Sequence, residues 1–556
     1  MDAWFHLRGY FFLSKNRIFL ISGISNSQNI HIPEDFKVSK DKFKEYFPNQ
    51  SNQKDNSSSS AEIVIPNNSN TPVSNFITDI LFNGDTVWFA TGSGLMRTVN
   101  NFGSYQYYYG LSPFGTDDIA GFSLNRKIIV ASTAVSEEIS GSSVATGTGI
   151  KVSTDFGNSW SSYPQPVDTR ADSVIVYGSN NLYALPVVVR QQNLSYDIAI
   201  TRTKNDLNNY TIWICCFAGG LRKSTDYGVT WERVLLPPDN LDSININITG
   251  YTFALNPRDP PQGNLNHRVF SITAVNDSTL YVGTAGGINK TNSWGVNWTK
   301  YNYINTGNGN GISGDFVVNL DVQKYNGKEI IWGATRQAAN NNESDALSFS
   351  SNAGASWQNT LDNIKPNGMS FKDSVVYGYT DAGLWRANFG SFNWSKAGVI
   401  YDERTKDQLR TNSFYAGNHI GDTLFIGSAD GLLKTVDYGQ PWIGKWEIIR
   451  SVTPIDPSSD IKTYAAPNPF SPDDEVTRIY YESTSQVSKI TIKIFDFGMN
   501  PVRTLIQNAT RTGTDVLYTS WDGKNDNGYQ AANGVYFYRV EFDNENPVWG
   551  KIILLQ

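Results

Sequence analysis

The sequence predicts an all-β protein, a β-propeller of about seven repeats followed by a small β-sandwich. Three observations predict it. Charged residues fill only 17% of the 556 positions, against roughly 25% in an average globular chain, and Gly, Asn, Ser, Thr, Tyr and Trp make up the difference. These are turn and strand formers, and helix formers are scarce. A strand–Gly–strand–turn–Trp pattern recurs seven times between residues 87 and 442, and short alternating strands fill about the last 90 residues.

Residues 1–60 read as a leader or tail ending in the low-complexity linker NQSNQKDNSSSS. Lys15 and Arg17 precede the apolar stretch Ile18–Ile24 and then Ser25–Ser27. That is the order of a signal peptide, although the apolar run is short and late; a start assigned too far upstream, or a fragment of a longer chain, remains an alternative. No apolar run approaches the roughly 18 residues of a membrane-spanning helix. Cys215 and Cys216 are adjacent and form no disulfide framework; they read as small apolar residues of a buried strand. The net charge is −7 with no basic cluster, which argues against nucleic acid as a partner.

Residues 61–452 carry the repeats, spaced as four-stranded blades with loop insertions. Whether residues 62–66 complete the last blade beside Trp446–Ile449 is left open by the sequence. Two repeat turns, STDFGNSW and STDYGVTW, are complete: Ser153, Asp155, Gly157 and Trp160, then Ser224, Asp226, Gly228 and Trp231. A third, TVDYGQPW, keeps Asp437, Gly439 and Trp442, and other copies place Ser293, Asn352 or Asn388 where the Asp should be. The pattern makes a rigid hairpin. A short carboxylate accepts bonds from its own turn, the glycine supplies positive φ, and the Trp begins the next strand and packs between blades. These turns resemble the Asp-box (BNR) repeats of sialidases, sortilin-like domains, photosystem assembly factors and certain xyloglucanases. The resemblance covers about residues 70–450 and implies a fold more than a function.

A Pro-rich connector, 453–463, leads into residues 464–556, whose alternating strands read as an immunoglobulin-like β-sandwich. Pro467–Phe470, Trp521–Gly523, Asn533–Tyr538 and Gly550–Leu555 resemble the immunoglobulin-like C-terminal module of the flagellar hook-capping protein (FlgD-like). They also resemble the type IX secretion sorting domain of Bacteroidota. The resemblance implies a secreted or cell-surface protein, with secretion machinery as a partner of this domain.

In a propeller the repeat turns join strands c and d on one face, and the b–c and d–a connections lie on the other. The long insertions 133–149 and 336–345 read as b–c loops, and 234–268 and 300–314 as d–a loops. The face opposite the repeat turns is therefore the expected binding face. Its weak candidates for paired-carboxylate chemistry are Glu137, Glu138, Glu343 and Asp345, each of which reads far more readily as a solvated loop residue. A sialidase site is not supported: the Arg-Ile-Pro signature is missing, and Arg97, Arg222 and Arg386 fall in c strands. No HExxH, GxSxG or phosphate loop occurs, and of the four histidines only His267 and His419 lie in the repeats. The run Asp522–Gly528 departs from a calcium loop at Lys524 and reads as a polar hairpin. No catalytic residue, cofactor or metal site is assigned. The expected function is non-catalytic binding of a protein or glycan; alternatives are a glycan-active hydrolase using the loop-face acids, or a structural part of a surface assembly.

Overall fold

A computed structural model describes residues 61–555 except 85, 100–101, 140–141, 306–310, 339, 452–462, 473–475, 483–486, 513–516 and 544–545, together with strand pairs at 13–14 and 17–18. The leader, its signal-peptide reading and most of the connector lie outside the described residues.

Seven antiparallel meanders succeed one another at residues 77–107, 118–163, 195–233, 269–301, 316–360, 366–396 and 414–449, each with strands a to d in sequence order. They are the seven blades of an all-β propeller, and an immunoglobulin-like sandwich follows. The b strands are continuous apolar runs such as TVWFAT, LYVGT and TLFIGS, buried along nearly their whole length. A strand covered on both faces cannot show polar alternation. Each of these b strands ends in Thr or Ser, and a Gly opens strand c three residues on. Thr91, Thr284, Thr380 and Ser428 donate to the carbonyls of Gly94, Gly287, Gly383 and Gly431 at 2.7–3.0 Å. Those glycines have φ between +79° and +130°, which a Cβ would disfavour.

From residue 61 on, the described residues divide into two compact units: 166–189 with 196–396, and 61–165 with 190–195 and 397–555. The first holds blades three to six. In it, residues 234–268 do not form an open loop. They fold with the hairpin Val174–Tyr177/Asn180–Tyr183 around a shared core of Tyr177, Leu182, Leu235, Leu236, Ile244, Trp213 and Trp298. Ser243–Ile244 adds a fifth strand to the outer edge of blade four, pairing with Trp298–Thr299. An unpaired edge strand is thereby covered.

The second unit contains the ring closure. Ile77, Ile80, Phe89 and Met96 of blade one share a core with Phe425 and Leu432 of blade seven. Phe102 stacks on Phe425 at 4.6 Å, and the Gly431 amide donates to the Asn75 carbonyl at 2.7 Å. All four strands of blade seven come from 414–449, so residues 62–66 do not complete it. Instead Glu62 and Ile63 pair with Trp160 and Ser159 of blade two, and Asn67–Ser69 pairs with strand d of blade one. The segment 133–149, expected as a loop, is mostly paired strand: Ile128–Ile139 and Ser142–Ser153 pair out to Ile139 and Ser142, with one bulge between Thr133 and Ala134.

The sandwich packs a sheet of Thr463–Ala466, Thr477–Tyr481 and Leu517–Trp521 against one of Val487–Phe495, Pro501–Thr512, Gly534–Phe542 and Val548–Leu554. Phe470, Ile479, Ile492, Trp521, Tyr538 and Ile552 fill its core.

Candidate functional site

The two complete repeat turns are built alike. Ser153 donates to Asp155 at 2.8 Å and accepts from the Gly157 amide at 2.8 Å; the Ser159 amide and hydroxyl then donate to the two carboxylate oxygens at 2.9 and 2.7 Å. Ser224, Asp226, Gly228 and Thr230 repeat the set at 2.7, 2.8, 2.9 and 2.6 Å. Burial pushes each carboxyl up, but the bonds from Ser159 and Ser153, or Thr230 and Ser224, outweigh it and hold both below the ordinary range. The indole of Trp160 donates back to the Gly157 carbonyl at 3.2 Å, and that of Trp231 to Gly228 at 3.0 Å.

Their packing differs. Trp160 is fully buried, edge-on to Phe114 and Tyr108 of the preceding blade region at 4.8 and 5.6 Å. Trp231 is only half-buried. Asn352 keeps the turn in blade five, accepting from Ser350 and the Ser356 amide at 2.9 and 3.0 Å. Ser293 keeps it in blade four, accepting from the Asn297 amide at 2.8 Å. Asn388 does not; there the backbone carbonyl takes the bonds. In the third copy the Gly439 amide donates directly to Asp437 at 2.7 Å. Trp442 has φ +56° and stacks on Trp446 at 5.9 Å, five residues before strand d begins at Glu447, so it does not open that strand.

Three of the loop-face acids are held by hydrogen bonds, Glu343 and Asp345 by backbone amides. Glu137, in strand b of blade two, accepts from Gln191 at 2.9 Å and lies 3.6 Å from Arg190. Glu138 follows it, opposite Ser143, with its side chain outside the described part. Glu343 is buried in the b–c loop of blade five and accepts from the amides of Ala338 and Asp315 at 2.6 and 3.2 Å. Asp345 accepts from the Gln337 amide at 3.0 Å. The two pairs of acids belong to different units.

Sequence reasoning missed Asp315. It accepts from the Tyr303 amide at 2.7 Å beside Glu343, and burial raises its pKa to about 6. Burial first, then the Asp315 charge, raises Glu343 to about 7. Near them Lys300 is buried and donates to the carbonyls of Pro238 and Asp239 at 2.9 and 2.7 Å. His267 is buried as a neutral ring, accepting the Asn256 amide at 3.0 Å with its other nitrogen 3.1 Å from the Leu236 carbonyl; burial lowers its pKa to about 4. The His419 ring lies 3.1 Å from the carbonyl of Gly421 in its own turn. Arg222 is spent on Asp168 at 2.8 Å. In the run Asp522–Gly528, Asp522 pairs with Arg503 at 3.0 Å and Asp526 accepts the Thr504 amide at 2.9 Å, as a polar turn does. Among the described residues no cluster of three or more His, Cys, Asp or Glu is placed to hold a metal.

One surface is not tied up. In the hairpin beside blade four, Tyr177 and Leu182 point into the core while Val174, Val176 and Tyr183 are 55%, 70% and 53% exposed. Val174 lies directly opposite Tyr183, and Val176 is two residues along the same face. The Tyr177 hydroxyl donates to the Val296 carbonyl at 2.8 Å, which seats the hairpin against the repeat turn of blade four.

Residues 469–546 match the FlgD Ig-like domain family. No curated protein matches the chain in sequence. Among solved structures it is similar to PorZ of Porphyromonas gingivalis, described as an essential bacterial surface component of the type-IX secretion system. That match has 13% identity and TM-score 0.33, covers 85% of this chain and spans 64% of the PorZ chain. A GH74 enzyme of Niastella koreensis matches at 13% identity and TM-score 0.44, covering 89% of this chain and 74% of that one. YCF48 bound to a D1 peptide matches at 13% identity and TM-score 0.39, covering 71% of this chain and 99% of that one. The chain is an all-β, seven-bladed propeller that ends in an immunoglobulin-like domain similar to that of FlgD.

Proposed function

We propose that this is a secreted or cell-surface propeller that binds a protein or glycan partner without chemistry, and that its last domain serves export or attachment. The exposed face of Val174, Val176 and Tyr183 carries this reading. Apolar side chains grouped on a rigid lobe are costly to leave in water and mark a surface for a partner. The two valines, which offer a sugar no hydrogen bond or stacking ring, favour protein over glycan. The binding surface is thereby assigned to the outer edge of blade four, away from the face opposite the repeat turns. The repeat turns serve as Asp-box-type scaffold. The match of residues 469–546 to the FlgD Ig-like family supports an extracytoplasmic role for the last domain.

A second reading, glycoside hydrolysis, is favoured by one observation: Glu343, raised to about 7 beside Asp315, holds a proton near neutral pH as a general acid must. One experiment separates the two. The full chain and a Val176→Asp/Tyr183→Ser variant are screened on glycan and surface-protein arrays, beside a turnover assay on pooled fluorogenic glycosides. Binding lost in the variant supports the first reading. Turnover abolished by Glu343→Gln overturns it.

A further inference from the structure

Within the second unit, the sandwich rests on the propeller through the outer face of its three-stranded sheet. Ile479 and Tyr481 point into the sandwich core, so Arg478 and Tyr480 point outward. Arg478 is nonetheless 6% exposed. Its guanidinium donates to the Gly92 carbonyl at 3.0 Å and to the Ser93 hydroxyl, the b–c turn of blade one. It lies between two rings, 5.7 Å from that of Tyr109 in the propeller and 5.2 Å from that of Tyr518 in the sandwich. Beside it, Tyr464, Tyr480 and Tyr518 form a row with ring separations of 4.7 and 5.4 Å. Burial, then Tyr480 and the Asp430 carboxylate, push the Tyr464 phenol up. At blade two, Ser142 pairs in parallel with Thr510, so the extended hairpin meets the sandwich edge to edge.

Two neighbouring blades, one and two, therefore meet the sandwich at their b–c ends. A buried guanidinium with carbonyl, hydroxyl and two aromatic partners is not a feature of a loosely tethered module. Unpartnered, it would carry the desolvation cost of a charge. Blade one also borders the ring closure with blade seven.

We propose that residues 463–555 are a built-in cap. The sandwich is seated on the b–c turn of blade one and the b–c hairpin of blade two by its own contacts, with Arg478 as the latch, and it remains seated when the connector is cut. A partner that reads those turns must first displace the cap. This holds whatever the exposed hairpin of blade four binds, and it is distinct from a removable export address.

The test uses the full chain with a specific protease site in place of residues 455–460. After cutting, the two pieces are expected to co-elute on size exclusion, and to separate when Arg478→Ala is present. Hydrogen exchange on the uncut chain provides a second readout. Arg478→Ala should speed exchange by about tenfold on both sides of the contact, at 88–96 and at 463–482, with blades three to six unchanged. Tyr518→Leu, at a half-exposed position outside the sandwich core, should do the same to a smaller degree and guards against a misfolded Arg478 variant. Separation of the cut wild-type pieces, each still folded, would overturn the proposal. So would faster exchange confined to 463–482.

Discussion

Trp160 and Trp231 hold the same place in their repeats, yet their surroundings give them different weight. Trp160 is enclosed by Phe114 and Tyr108, and its replacement by alanine should cost about 3–5 kcal/mol in chemical denaturation. Trp231 is half-buried and keeps chiefly its indole bond to Gly228, so Trp231→Ala should cost about 1–2 kcal/mol. Equal costs would refute this ranking. Two buried groups give opposite pH slopes. His267 is held neutral with a folded pKa near 4 against an ordinary 6.5. The unfolded chain then binds the extra proton, so the His267 contribution is complete above about pH 6.5 and is lost as pH falls toward 4. Glu343 runs the other way. Its folded pKa near 7 exceeds the ordinary 4.5, so the native chain binds the extra proton and stability falls as pH rises from 4.5 to 7. Glu343→Gln should remove that fall, because the amide oxygen still accepts from Ala338 and Asp315; an unchanged denaturation profile across that window would contradict the assignment. At this scale the Ser-x-Asp turns were legible because their bonds are local. Asp315 was not, since it meets Glu343 across 28 residues, and no short-range pattern marks it.

At the scale of elements, the blades were readable because most c strands open with Gly and most repeats end near Trp. The Thr or Ser closing strand b was a further signal: it caps the b–c turn in blades one, four, six and seven, three residues before the Gly. Ring closure was not readable. It depends on side-by-side packing of blades one and seven, with no strand exchanged between chain ends. Gly427 marks that contact, for a Cβ there would lie 2.5 Å from the Ile77 carbonyl oxygen. Gly427→Ala should therefore destabilise the chain by about 1–3 kcal/mol, while Gly421→Ala loses only turn geometry at a site with open space around it. Thermal melts of the two variants check this. The segment 133–149 was misplaced, and 62–66 left unplaced, for a related reason. Short polar-flanked stretches pair wherever an open strand edge lies beside them, and the edge is known only once the blades are assembled.

For the whole molecule, the composition and the repeat pattern were enough to reach a propeller followed by a sandwich. The division of contacts was hidden, because it groups the sandwich with blades one, two and seven and sets blades three to six together. A chain ending at residue 452 loses every partner of the Gly92–Ser93 turn that Arg478 supplies. Its melting temperature should fall by about 2–4 °C for each kcal/mol withdrawn, with new binding of an apolar dye at Tyr109. A truncated chain that melts as the full one does, without dye binding, would separate the domains energetically.

The Ser142–Thr510 pairing has a mechanical consequence. It makes one continuous hydrogen-bonded ladder from Glu62–Ile63 through blade two and across the sandwich to the last strand, Val548–Leu554. A tether fixed to that last strand and pulled by flow would load the second blade sideways through this ladder, in parallel with the connector. The propeller would then be held at two points and would resist swivelling about its anchor.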